Sequence, residues 1–411
     1  MVFGGLGYVV QNRAMKALRA RSRQASSSTG DDPAPARQST TSTQGRHRTG
    51  AGYEYRPLLA SGIVRVLVLR PYEYDSSESI KCDVRHTRIL TGRYCALSYE
   101  WGPPADDDPK IRLDGHLTVV RRNLFQALLS LRRRWQYEQP ACREIWIDAL
   151  SINQADMQER NHQVQLMSTI YRRAIQVLVW PGYSECRNHH AIAVINIQNY
   201  GNYTDADEML ESVPPLLELC LRSYWNRVWI QQELYLARHI LIMWGGDKYI
   251  RYESFDHMLA LITRSDSPVA RDMSEAIEQS AANAIVTRKR LSIDSNTLVT
   301  WLRMACQRGL ETSEPRDLIY AMLGISSDCQ IGGLEPDYGK PLLDVYLETI
   351  VFCGLDRPGL ENERFRQTLA EYLGLLWNDG MEMTTRKYCA TVSGPRRQGE
   401  KAEYIAGPST V

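Results

Sequence analysis

Two short apolar runs enclose one amphipathic stretch between Glu144 and Gly182. Ile145, Trp146, Ile147, Ala149 and Leu150 are interrupted only by Asp148, the pattern of a strand covered on both faces, so Glu144 to Leu150 reads as a strand with one carboxylate at its exit. Asp156 with Glu159 three residues later makes a capping-box-like start, and Val164, Met167, Tyr171 and Ala174 then recur at helical spacing. Val177 to Trp180 is a second apolar run, stopped by Pro181 and Gly182. A strand, a crossover helix and a parallel strand follow from this pattern, and with them an α/β sheet.

The same reading extends along the chain. Ile63 to Leu69 and Tyr94 to Tyr99 read as strands, and Ile111 to Leu113 with Leu117 to Val119 read as a hairpin around Asp114-Gly115-His116. Asn123 is the expected cap of a helix bearing Leu124, Leu128 and Leu131. Further on, a weakly patterned helix is expected at Arg187 to Tyr200 and one opened by Pro214-Pro215, then an aromatic helix from Ser223 and a strand at Ile240 to Trp244. Beyond Tyr252 the pattern turns helical, with segments at 254–263, 297–307, 316–323 and 342–352, and from about Gly380 the polar composition predicts fraying. The fold class expected is a doubly wound, mainly parallel sheet with a small hairpin insertion, followed by a mainly helical C-terminal region.

Composition narrows the picture. The 411 residues leave room for two or three domains, and 43% hydrophobic content suffices for a core. The formal charge is +1, but the first 50 residues hold eight Lys/Arg against two Asp, which leaves the remainder at −5. No basic, aromatic-interleaved face for nucleic acid results. Residues 26–52 are rich in Ser, Thr, Pro, Gly and Arg, and residues 1–30 have a composition shared by mitochondrial presequences and plain disordered tails, so 1–52 reads as a disordered basic tail. Nine scattered cysteines without a C-x-x-C pair fit reduced thiols in a cytoplasmic protein, and no apolar run reaches the length of a membrane span.

Standard catalytic motifs fail. Gly333 to Lys340 has the wrong spacing for a phosphate loop, and Pro341 stands where a Mg²⁺-binding hydroxyl belongs. Gly5-Leu6-Gly7 lacks a preceding strand, and Cys186, His189 and His190 form a weak metal-like cluster; no metal site is expected.

What remains is a set of aromatic and polar blocks: Tyr94 to Gly102 (YCALSYEWG), Trp146 to Gln154 (WIDALSINQ) with Glu159-Arg160, and Trp225, Arg227, Val228, Trp229, Gln232 and Glu233. Pro315-Arg316-Asp317 and Pro336-Asp337-Tyr338 follow. In this order they resemble the blocks of the heterokaryon-incompatibility (HET) domain family of filamentous fungi, over about Tyr94 to Tyr346. Ser151 stands where the family usually has cysteine, which argues against thiol chemistry there, and Pro181 stands where it has leucine.

The resemblance implies 53–250 as a HET domain, 251–380 as a helical extension and 381–411 as a polar tail. It implies a cytoplasmic role in non-self recognition and programmed cell death, a form of innate immunity, with an allelic or non-allelic incompatibility partner and a homo-oligomeric active state. HET domains look like distant relatives of TIR domains, which have a flavodoxin-like fold and in many cases cleave NAD with a glutamate in W-x-x-x-E. Trp229 to Glu233 matches that spacing. On this carry-over Glu233 is the catalytic residue, Trp101, Ser98, Tyr99, Asp148, Arg227 and Trp229 bind substrate, and NAD is the substrate, with no cofactor. The alternative is a non-enzymatic, oligomerising interaction module that recruits a death-executing partner, with the W-x-x-x-E helix as an assembly surface. Plainer roles stand beside it: Trp146, Trp180, Trp225 and Trp229 as packing, Arg227 and Glu233 as an ion pair, Asp148 as a backbone cap, and Glu159 and Arg160 as parts of a helix start.

Overall fold

The structure is a computed structural model. It describes residues 53–71, 79–140, 142–183, 192–193, 195–196, 206–244, 248–264, 271–329 and 333–392. The basic tail, the Cys186/His189/His190 cluster and most of the helix expected at 187–200 lie outside the described residues.

The chain divides into two compact units: one runs to Ser292 and includes Arg308–Glu311, and the other comprises Ile293–Gln307 and Thr312 onward. The first contains one nine-stranded sheet. Its strands are β1 (Ile63–Leu69), β2 (Lys81–Arg88), β3 (Cys95–Tyr99), β4 (Lys110–Leu113), β5 (His116–Val119), β6 (Glu144–Trp146), β7 (Val177–Trp180), β8 (Ile240–Met243) and β9 (Tyr249–Arg251). They lie in the order β5-β4-β2-β1-β6-β3-β7-β8-β9. The sheet is mixed. β6, β3, β7 and β8 run parallel, as do β2 and β4, whereas β1 is antiparallel to both its neighbours and β5 and β9 are antiparallel to theirs.

The expected parallel trio is present: Cys95 pairs with Ile145 and Ala96 with Val177, so β6 and β7 flank β3. The expected hairpin is present too, but it extends the sheet beyond β2. β2 itself is not visible as an apolar run, because only Cys82 of its KCDVRHTR sequence is buried.

Among the parallel strands, the chain visits β3 first, moves to β6 on one side, then crosses over to β7 and β8 on the other. The reversal falls at β3, and in open α/β sheets the crevice outside the carboxyl ends of the strands at such a reversal is where ligands bind.

Helix α1 (Arg122–Tyr137) covers one face of β3, where Leu124, Leu128 and Leu131 share a core with Cys95, Leu97, Tyr99, Ile145 and Leu178. Asn123 does not cap it: Arg121 holds the cap position, while Asn123 accepts from Trp180 Nε1 at 2.7 Å and donates to the Glu100 carbonyl at 2.5 Å. A short helix α2 (Asp148–Ser151) and then α3 (Met157–Arg173) follow β6. The strand expected to reach Leu150 therefore stops at Trp146, because the Ser151 hydroxyl and the Ile147 carbonyl close a turn on themselves: Ile147 N–H donates to Ser151 Oγ at 3.0 Å and Ser151 N–H to Ile147 O at 2.7 Å. Asp156 caps α3, accepting from the N–H groups of Gln158 and Glu159.

Helix α4 (Ala206–Cys220) contains Pro214 and Pro215 in its interior, not at its start. A 3₁₀ turn (Ser223–Asn226) and α5 (Trp229–Tyr235) lead to β8, and α6 (Tyr252–Thr263), α7 (Arg271–Glu278) and α8 (Ala281–Arg290) complete this unit. The second unit is helical, with α9 (Leu298–Arg308), α10 (Asp317–Leu323), α11 (Leu342–Phe352), α12 (Leu360–Tyr372) and α13 (Asp379–Val392). The last of these forms where polar composition predicts fraying. In the Pro-Arg-Asp and Pro-Asp-Tyr motifs the Tyr338 hydroxyl donates to Asp317 at 2.6 Å and the Tyr320 hydroxyl to the Asp337 carbonyl at 2.8 Å, a structural knot.

Candidate functional site

Six of the seven site residues expected from sequence come together where β3 and β6 end. Strand alternation splits β3 between two faces: Tyr99 joins the α1 core, whereas the Ser98 hydroxyl shares a 2.6 Å hydrogen bond with Tyr224. Trp101, just beyond β3, donates from Nε1 to Asp148 Oδ2 at 2.8 Å, and Ala149 N–H donates to Oδ1 at 2.7 Å. Arg227 donates to the Tyr99 carbonyl from between the 3₁₀ turn and α5. Trp101, Asp148 and Arg227 are half-buried, but Ser98 is fully buried and Glu233 is only 2% exposed.

Electrostatics tie the two carboxylates together. Burial raises Glu233 to about 7, against the pull of the Arg227 charge and of the Ser98 and Tyr171 hydroxyls, while Asp148 adds to the rise. Burial also raises Asp148, opposed by Arg227, then Trp101 and the Ala149 amide. No ion pair joins the guanidinium directly to either carboxylate among the described residues, so Arg227 acts on both through space. Burial, then the Glu233 charge, pushes the phenols of Tyr171 and Tyr224 well above their usual value; Tyr99 is raised by burial and then by Asp148. These tyrosines are neutral hydrogen-bonding groups around a glutamate that titrates near neutrality.

The glutamate rides on a helix buried on every side. Ile230 to Leu234 are all buried, Gln231 completely, and both polar atoms of the Gln231 side chain and Glu233 Oε2 find no hydrogen-bond partner among the described residues. Buried polar groups are nearly always satisfied, so each exception calls for a physical explanation, and a catalytic role is one of them. Trp229 opens the same helix and is half-buried.

Residues 94–233 match the family model of the Heterokaryon incompatibility protein (HET). The chain carries a HET domain. It is also 35% identical over 129 residues to Heterokaryon incompatibility protein 6, OR allele, of Neurospora crassa. That similarity covers 29% of this chain and 18% of the relative, so the chain spans less than a fifth of the protein it matches. No solved structure matches the chain significantly.

Part of what shapes the HET domain site lies outside the matched residues. Arg65 of β1, completely buried, binds both Glu159 oxygens at 2.5 and 3.0 Å and the Ser151 carbonyl at 3.1 Å, and Glu159 Oε1 accepts from Asn153 N–H at 2.7 Å. This clamp fixes the turn that carries Asp148, a larger task for Glu159 than starting a helix. Sequence offered one signal for it, an arginine within the apolar run IVRVLVL. The plainer roles hold for Trp146, Trp180 and Trp225, which are core residues, and in part for Asp148, which does bond a backbone amide.

Proposed function

We propose that this protein is a heterokaryon-incompatibility-type cell-death effector that signals non-self recognition through a TIR-like domain, and that the domain cleaves NAD at the nicotinamide–ribose bond. The order of the four parallel strands supports the flavodoxin/TIR-like reading, since a central first strand flanked by the second and third is the flavodoxin-like arrangement. One observation carries the chemistry: Glu233, with a pKa near 7, lies beside Arg227 and Ser98 at the strand-order reversal, and Asp148 and Trp101 form the half-buried rim.

In the proposed reaction the bond between ribose C1′ and the nicotinamide nitrogen breaks, and nicotinamide leaves with the electron pair. Nicotinamide starts as a pyridinium and needs no proton to depart. Ionised Glu233 stabilises or traps the oxocarbenium-like sugar carbon, and water supplies hydroxide to C1′ with release of a proton. A bound pyridinium favours the ionised carboxylate in turn. Trp101 offers a ring for stacking and Asp148 an acceptor for ribose hydroxyls.

A second reading is favoured by the closure of Glu233, whose 2% exposure leaves no path for a sugar without movement of a neighbour. In that reading the domain is a non-enzymatic, homo-oligomerising module that recruits an allelic or non-allelic partner to execute death. The purified chain incubated with NAD, free and artificially clustered, separates the two. Nicotinamide release supports the enzyme, and clustered protein without release supports the module. Among the described residues no helix is long and apolar enough to cross a membrane.

A further inference from the structure

Helix α5 cannot hold Glu233 in place by itself. Seven residues make a rod about 10 Å long, far below the length at which an isolated helix persists in water. No side chain caps its first turn. Its entry is tied instead by backbone bonds to a distant segment: Val228 N–H donates to the Glu311 carbonyl at 3.1 Å, and Glu311 N–H donates to the Asn226 carbonyl at 2.5 Å.

Its exit is tied by one side chain. Lys289, on α8, places Nζ 3.1 Å from the Leu234 carbonyl, 2.9 Å from that of Tyr235 and 2.8 Å from that of Ala237. An ammonium has three donors; two are spent on the last turn of α5 and the third on the Ala237 carbonyl just beyond it, where the partial negative charge of the helix end favours a cation. One of the three carbonyls belongs to the residue directly after Glu233. Lys289 lies outside the matched HET residues, in a helix the apolar pattern did not reveal.

We propose that Lys289 is a positioning residue for Glu233, holding the last turn of α5 so that the carboxylate stays between Ser98, Tyr171 and Arg227. This rests on the reading of Glu233 as the reacting carboxylate. Lys289 touches no reacting atom; it acts through three backbone carbonyls. Losing it lets the last turn unwind and admits water to a carboxylate whose high pKa depends first on burial.

The test uses the full chain and two readouts. The first is the Glu233 titration midpoint, taken from the infrared carboxyl band after subtraction of Glu233→Gln; the second is nicotinamide release from NAD. Lys289→Met keeps the aliphatic stem and removes the donors. The midpoint should fall from about 7 by roughly a unit or more toward the ordinary carboxylate value, with turnover falling more than KM rises. Lys289→Arg should restore both. If Lys289→Met does not fold, Lys289→Gln, which keeps two donors without charge, should show the same fall in smaller measure. A midpoint unchanged in the folded variant, even with a lower melting temperature, overturns the inference, as does an arginine variant that behaves like methionine. Absence of nicotinamide release from the wild type defeats the NAD reading alone, because the midpoint still reports on Lys289.

Discussion

Glu233 is costly to ionise where it stands, and that makes its role measurable. Its pKa is about 7 folded against an ordinary 4.5, so the native state holds the proton more tightly. The contribution this gives is complete below about pH 4.5 and is lost as pH rises through 7, amounting to about 3 kcal/mol. Glu233→Gln removes the titration while keeping the volume. The variant should therefore gain melting temperature relative to wild type at pH 8 but not at pH 4.5, and pH-dependent calorimetry of the two proteins checks this. If the domain cleaves NAD, the same change should lower cleavage by about 10² or more, and wild-type activity should rise through an acid limb near pH 7. A glutamate that merely paired with Arg227 would show the reverse at neutral pH, a large fall in stability with activity untouched. The residue types at this spot were legible in the sequence because Ser98, Trp101, Asp148, Arg227 and Glu233 sit in compact blocks. Lys289 was not, because the carbonyls it binds lie 52 to 55 residues away and nothing local marks it, and Arg65 shows only as an arginine within an apolar run, because Ser151 and Glu159 lie 86 and 94 residues away.

Among the elements, apolar runs gave reliable strands where both faces are buried. Cys95–Tyr99, Val177–Trp180 and Ile240–Met243 are buried at every position, and all three show as runs. β2 and β9 escaped notice because half-solvated or three-residue strands have too little pattern to stand out. Asp148 misled for a different reason. It interrupts an apolar run whose continuation is helical, and only the Ser151 hydroxyl, bonded back to Ile147, reveals the turn. Ile147 is completely buried at the junction of strand and turn, so Ile147→Ala should destabilise the fold by about 2 to 5 kcal/mol, as read by denaturant unfolding. A cost below 1 kcal/mol would mean that this junction is not packed as described.

For the molecule as a whole, the matched HET residues are not a self-sufficient body. A fragment confined to 94–233 loses β1, which pairs with β6, and β8, which pairs with β7, and it loses Arg65, Lys289 and Glu311. It keeps Glu159 as a carboxylate without its guanidinium, and breaking a buried pair by removing one member costs about 3 to 5 kcal/mol. The fragment should show no cooperative thermal transition by circular dichroism, whereas the full chain should.

The outermost strand has a consequence for handling the protein. β5 ends the sheet, and its His-Leu-Thr-Val sequence exposes Leu117 at 55% and Val119 at 58%, with neither a proline nor a formal charge within the strand. Sheet edges left so bare invite a second chain to add its own strand. Concentrated solutions should scatter light increasingly with time through reversible edge-to-edge growth. Val119→Lys, which places a charge on that edge while leaving the β4–β5 pairing bonds in the backbone, should keep them clear.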